Sequence, residues 1–379
     1  MTVRSCRNGP FRTDGAVLFL ALPPVMKLRV TQYLGWHAHC RGSKGGPRRA
    51  APNPGGNMDI GTISSGQVRR PPVWSIMLGA VTLGAAALVM ERSRRVERDN
   101  PPAGKFITVD GVRLHYAEFG RGEPLVLLHG NATGAVDFLL SGVVRKASLH
   151  YRVIVFDRPG YGYSQRPGGD MAWGPEAQAG LIHRALTQIG ASRPIILGHS
   201  WGAMVALALA LDHPEAVRGL VLEAGYYYPT ARPDVLPAAI HAVPVVGDLL
   251  RFTFSPLLAR ANWPLAVKAM FAPSKVPEHF WRFPAWMSAR PSQLRASAAE
   301  GAAMIPAARR LSRRYRNLTV PTVIIVGRKD RIAFPGRHSE RLHDDVPHSR
   351  IRIVAGAGHM LHHVAPEAVL LAVVEVAQL

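Results

Sequence analysis

The sequence predicts an α/β protein: a mostly parallel, doubly wound eight-stranded sheet, with a helical cap inserted late in the chain and a transmembrane helix near the N-terminus. Three observations predict it. From Phe106 onward, short β-branched runs alternate with helix-forming stretches, the pattern of strands joined by crossover helices. One such run, residues 194–197, leads into Gly198-His199-Ser200-Trp201-Gly202 and then into the apolar helix-former stretch 203–210. Earlier, residues 73–90 form 18 positions without a charge, the lower end of a bilayer span.

Taken in order, residues 1–72 read as a disordered basic tail. Residues 41–72 are rich in Gly, Pro and Arg, a composition that buries too little apolar surface to fold. Met58 opens a compact anchor and is a second candidate start, which would leave 1–57 outside the protein. Residues 73–90 follow as the single membrane anchor, with Trp74 at the interface. Arg69 and Arg70 precede it, and Arg92, Arg94, Arg95 and Arg98 follow, which favours the cytoplasmic side for the domain beyond. Residues 91–104 are expected to be a linker, and 105–379 the folded domain. Strands are predicted over 106–109, 112–118, 124–128, 152–156, 194–198, 217–222, 322–326 and 350–354, and helices over 176–189, 201–211 and 366–376. Nearly a hundred residues separate Glu223 from Thr322. A connection of that length needs structure of its own, and a cap is placed at about 226–315. Its aromatic segments, Tyr226-Tyr227-Tyr228 and residues 279–287, are expected to join cap to core, with some lining an apolar pocket.

Composition narrows the partners. The chain carries 46 Lys and Arg against 25 Asp and Glu. The charge is denser in the first hundred residues, yet neither part shows the basic stripe with interleaved aromatics that nucleic acid requires. No nucleic-acid partner is expected. The two cysteines, Cys6 and Cys40, both lie in the tail, so there is neither a disulfide framework nor a thiol nucleophile. No His, Cys or carboxylate group has metal-ligand spacing, and the dinucleotide fingerprint is absent. No metal and no cofactor are expected.

The chemistry lies in the strand–turn–helix around Ser200. Gly198 and Gly202 allow a tight turn that thrusts the hydroxyl out at a helix N-terminus. A serine needs an adjacent base, itself oriented by an acid. Asp330 follows the strand 322–326 in Gly327-Arg328-Lys329-Asp330, and His359 lies in the glycine-rich loop after 350–354. Both stand just past the carboxyl end of a strand, where open parallel sheets place their sites. Glu223 also ends a strand and is the reserve acid. His199, His129 and His115 read as structural and Asp157 as a turn organiser. His362 and His363 stand behind His359 as bases. Arg260, Arg282, Arg290 and Arg295 read as solvated surface.

The motifs together resemble the α/β-hydrolase family, in its serine-hydrolase branch, over roughly residues 105–379. The early His-Gly turn stands as His129-Gly130-Asn131. The Asp-x-x-Gly-x-Gly-x-Ser segment runs from Asp157 to Ser164. The acid loop comprises Gly327, Asp330, Ile332 and Pro335, and the histidine loop is Gly356-Ala357-Gly358-His359. The resemblance implies that Ser200 is the nucleophile, His359 the base, Asp330 the acid that orients it, and the backbone amides of Asn131 and Trp201 the oxyanion hole. It implies cleavage of a carboxylic ester or related acyl bond in a small-molecule substrate through an acyl-enzyme. Dehalogenase and epoxide-hydrolase branches carry aspartate at the nucleophile, and Ser200 argues against both. The alternatives are a carbon–carbon bond hydrolase with the same triad and a non-catalytic binding protein of this fold.

Overall fold

The computed structural model describes residues 72–167, 173–231 and 240–379. The expected tail, with Cys6, Cys40 and Met58, lies outside the described residues. The first described element is helix α1 (Val73–Asp99). Trp74, Ile76, Leu78 and Leu83 on its first half are exposed, so this apolar stretch finds no core within the described chain. Where a linker is expected from residue 91, the helix continues to Asp99. Ion pairs Glu91–Arg98 and Arg95–Asp99 lie along this polar half, and Asn100 closes the helix on the Val96 carbonyl. The last turn is docked: Glu97 pairs with Arg290 at 2.6 Å, and the Tyr163 hydroxyl donates to the Asn100 carbonyl.

Eight strands follow: β1 (Lys105–Val109), β2 (Val112–Phe119), β3 (Glu123–Leu128), β4 (Tyr151–Phe156), β5 (Ile195–His199), β6 (Gly219–Glu223), β7 (Thr322–Gly327) and β8 (Arg350–Val354). They form one sheet in the order β1-β2-β4-β3-β5-β6-β7-β8. β2 runs antiparallel to both β1 and β4, and every pairing from β4 through β8 is parallel. The inner strands are continuous apolar runs because both faces are covered. Leu125 and Leu127 point to one face, with helices α2 (Ala135–Ser141), α3 (Val143–Ala147) and α12 (Pro366–Ala377). Val126 and Leu128 point to the other, with α4 (Pro175–Gln188) and α5 (Trp201–Asp212).

The strand order turns back between β3 and β5. The chain leaves β3 toward β4 on one side and returns to β5 on the other, so a crevice opens at the carboxyl ends of β3 and β5, where such sheets place ligands. The β6–β7 connection supplies α6 (Val246–Phe252), α7 (Ser255–Phe271), α8 (Ala285–Ala289) and α9 (Pro291–Ser312). Phe271, Phe280 and Phe283 make a small core within this insertion. Helix α9 returns to the main core through Ala307, Ala308 and Leu311, beside Tyr227 and Tyr228. The Tyr315 hydroxyl donates to the Tyr227 carbonyl at 2.8 Å. Helices α10 (Ser339–Asp345) and α11 (Leu361–Val364) complete the described elements.

Candidate active site

The elbow begins with close packing. A Cβ at Gly202 would lie 2.1 Å from the Leu128 carbonyl oxygen, and one at Gly198 would lie 2.4 Å from the Gly202 carbonyl oxygen. Only glycine lets the start of α5 sit directly on the end of β3. Between them Ser200 adopts φ 52°, ψ −114°, a conformation that costs free energy in an L-residue and marks functional turns. Its amide donates to the Glu223 carbonyl at 2.9 Å, which ties the turn to β6.

Ser200 lines a cavity of about 180 Å³ together with Asn131, Trp201 and His359. His359 Nδ1 and Asp330 Oδ2 are 2.8 Å apart. Asp330 Oδ1 accepts the amides of Ile332 at 2.8 Å and Ala333 at 3.0 Å. Burial works against the charge of this carboxylate, but the His359 ring beside it and these amides hold its pKa below the usual range. With Nδ1 committed to Asp330, the other ring nitrogen is left for the cavity. No hydrogen bond joins the Ser200 hydroxyl to the ring among the described residues; such contacts commonly tighten only with substrate. Glu223, the reserve acid, meets His362 instead.

The His129-Gly130-Asn131 turn is held from behind. His129 Nδ1 donates to the Gly130 carbonyl at 2.7 Å, and its Nε2 accepts the Arg158 amide at 3.0 Å. Burial, and then the Arg158 charge, push His129 down to about 3, so it is neutral and shapes the turn. His115 is likewise structural: its Nδ1 meets Asp157 Oδ2 at 2.7 Å, while Asp157 Oδ1 accepts the Ala135 amide. One expectation fails. Arg290 is not solvated surface but is buried between Glu97 and the Gly162 carbonyl, because the docked end of α1 covers it.

Two groupings were not legible in the sequence. The first lies beneath the elbow. His362 Nδ1 is 2.7 Å from Glu223 Oε1, His362 Nε2 is 3.4 Å from Asp137 Oδ1, and His363 Nε2 is 2.8 Å from the same oxygen. The His199 ring lies between those of His359 and His362, tilted against the first and edge-on to the second. Within each of two triplets, Asp137–His362–His363 and His199–Glu223–His362, the ligand atoms lie within 4.8 Å of one another, close enough to be tested as a metal site. The Glu223–His362 and Asp137–His363 contacts are direct hydrogen bonds, while His362 Nε2 meets Asp137 only as an ion pair, and together they read as a buried ion-pair network. Burial opposes a charge on His362, but two carboxylates outweigh it and raise its pKa to about 10. His199 is driven down to about 3, first by burial. The second grouping, around Arg158 and Glu300, joins the His129-Gly130-Asn131 turn to α9. Its only sequence signal is Arg158 following Asp157 in the turn motif.

A larger cavity, of about 350 Å³, lies between the end of α1 and the insertion, lined by Trp263, Trp281 and Trp286. No serine, cysteine or histidine lines it, whereas Ser200 and His359 line the smaller one.

Comparison with known proteins identifies the fold family. A sequence model for the alpha/beta hydrolase fold matches residues 123–366. Haloalkane dehalogenase 2 of Mycobacterium tuberculosis is 27% identical over 278 residues, covering 69% of this chain and 91% of its own. The 2-hydroxy-6-oxo-2,4-heptadienoate hydrolase of Pseudomonas putida is 26% identical over 270 residues, with coverages of 69% and 91%. A thermophilic esterase from Thermogutta terrifontis superposes with a TM-score of 0.57 at 22% identity, covering 72% of this chain and 97% of its own.

Proposed function

We propose, from the premise that the chain belongs to the alpha/beta hydrolase fold family, that it is a serine hydrolase cleaving a carboxylic ester or related acyl bond. The observation that carries this reading is the cavity shared by Ser200 and His359, with Asp330 bonded to the far side of the imidazole. In this reading the Ser200 hydroxyl attacks the carbonyl carbon while His359 takes its proton. The oxyanion receives the amides of Asn131 and Trp201. His359 then protonates the leaving alcohol, and water, activated by the same imidazole, hydrolyses the acyl-enzyme. Asp330 holds the ring in one tautomer and stabilises its cationic form.

The cavity lining bears on the substrate. Met270, Met304, Met360 and Ile332 face it, and no Lys or Arg does among the described residues. Methionines suit an adaptable apolar pocket, which favours an uncharged acyl group. The carbon–carbon hydrolase reading is supported by the heptadienoate hydrolase relative, but a dienoate would bring a carboxylate into this cavity. The dehalogenase name does not carry over, because a hydroxyl and not a carboxylate stands at the elbow. Residues 73–90 serve in this reading as a single membrane anchor, with the arginines after it favouring the cytoplasmic side.

A fluorophosphonate probe tests the proposal. It is expected to label the wild-type protein at Ser200 and to leave Ser200→Ala unlabelled. Chromogenic esters are expected to be hydrolysed, and a ring-fission dienoate is not. A folded wild type that neither reacts with the probe nor turns over esters would favour a binding protein; dienoate cleavage alone would favour the carbon–carbon hydrolase.

A further inference from the structure

We infer that Arg158 is a positioning residue for the oxyanion-binding peptide, and that Glu300 couples that peptide to the insertion helix α9. The inference rests on the serine-hydrolase reading and deepens it.

The geometry begins with one peptide unit. The Gly130 carbonyl and the Asn131 amide belong to the same group, and the only cis bond among the described residues is Ala272–Pro273. The Gly130–Asn131 unit is therefore trans, and its C=O and N–H point in opposite directions. Whatever holds the carbonyl aims the amide. Three donors reach it: His129 Nδ1 at 2.7 Å, Arg158 Nη2 at 2.9 Å and, at the longer distance of 3.4 Å, the Thr133 hydroxyl. Arg158 Nε also donates to the preceding carbonyl, that of His129, at 2.7 Å. The guanidinium thus clamps two successive carbonyls of the turn. Donation to the Gly130 oxygen also polarises the peptide and strengthens its N–H as a donor.

Arg158 is fully buried, and so is its counter-ion on α9: Glu300 is 3% exposed. Arg158 Nη1 donates to Glu300 Oε1 and, at 2.8 Å, to Gln178 Oε1, while Nη2 reaches Glu300 Oε2 at 3.1 Å. Every N–H of the fork has an acceptor. Glu300 is itself oriented by the Tyr161 hydroxyl at 2.8 Å and Gln178 Nε2 at 2.9 Å. One helical turn away, Ser297 bonds both ends of the Asn131 amide side chain. Ser297, Gly301 and Met304 of the same helix line the cavity. So the helix that feels the substrate also carries the carboxylate that fixes the guanidinium. A lysine could neutralise Glu300 but could not also span two carbonyls.

The test uses Arg158→Lys, Arg158→Met and Glu300→Gln in the full chain, with folding checked by thermal melting. Ester kcat and KM are measured alongside the affinity of a trifluoromethyl ketone, which forms the tetrahedral adduct. Losing an aligned oxyanion donor costs about 10²-fold or more in kcat. Both Arg158 variants are expected to fall by roughly that factor with little change in KM. The ketone should weaken in proportion to kcat/KM. Glu300→Gln should fall less, by about tenfold, because the amide keeps one acceptor for the fork. A folded Arg158→Lys or Glu300→Gln enzyme with wild-type kcat and unchanged ketone affinity overturns the inference; so does a kcat loss with no loss of ketone binding, since that marks general damage. Should neither Arg158 variant fold, Glu300→Gln decides alone. A wild-type protein unlabelled by fluorophosphonate defeats the parent reading, a different failure from labelled variants with normal rates.

Discussion

Two histidines three residues apart, His359 and His362, both sit in buried contact with carboxylates, yet their surroundings differ in kind. His359 has one carboxylate, Asp330, and its other nitrogen is left for a cavity. His362 has two, with Glu223 at one nitrogen and Asp137 at the other, and no exposure to solvent. A single acid orients an imidazole and leaves it able to accept a proton. Two acids favour its cationic form and raise its pKa to about 10. The number of acidic partners, and not burial or proximity to Ser200, separates a group suited to proton transfer from one suited to holding the elbow's underside together.

Paired substitutions break that comparison most sharply. On the His359 side, Asp330→Asn is expected to lower kcat by about 10⁴-fold through the wrong tautomer, with the protein still folded in a thermal melt. On the His362 side, Glu223→Gln should do the reverse. Removing one partner of a buried charge pair costs about 3–5 kcal/mol, read by chemical denaturation, while kcat per folded molecule stays near wild type. A Glu223→Gln enzyme that is stable but inactive would reverse the assignment of the two acids.

A smaller effect follows from pH. His362 has a folded pKa raised above its unfolded value, so its contribution is complete below about 6.5 and is lost as pH rises toward about 10. His129 and His199 are depressed to about 3. The unfolded chain therefore binds protons that the fold refuses, and stability falls as pH drops from about 6.5 toward 3. Denaturation midpoints should peak near pH 6.5, and His362→Gln should remove its share of the alkaline decline, at most about 1.4 kcal/mol per pH unit. An unchanged alkaline limb in that variant would mean that the cation is not there. The smallest effect concerns the anchor. Deleting residues 1–90 leaves the docked last turns of α1 in place. It should move the protein from the membrane fraction to the soluble one without changing kcat on a soluble ester.

Much of the fold was legible because it is written in local pattern. The apolar runs of β3, β5 and β7 and the two elbow glycines state their conformations without reference to anything distant. The positions of Ser200, Asp330 and His359 just past strand ends were legible too, since each follows a strand in a recognisable loop. The polar half of α1 was not. Residues 91–99 look like a charged linker until Arg290 and Tyr163 are brought against them. Nor was Arg290's burial readable, for the same reason.

What the sequence by itself determined is the alternation of strands and helices, the strained turn at Ser200 and the apolar stretch at residues 73–90, all set by backbone sterics and side-chain patterning over a few residues. The tertiary structure alone decided that Glu223 and Asp137 meet His362, and which guanidinium stands behind the His129-Gly130-Asn131 turn. Glu223 ends β6 and Asp330 stands just past the end of the neighbouring β7, and Arg158 and Glu300 are 142 residues apart. Hydrogen bonds and ion pairs depend on distances of a few ångströms between atoms, and chain separation says nothing about those until the sheet has closed and the insertion has folded over it.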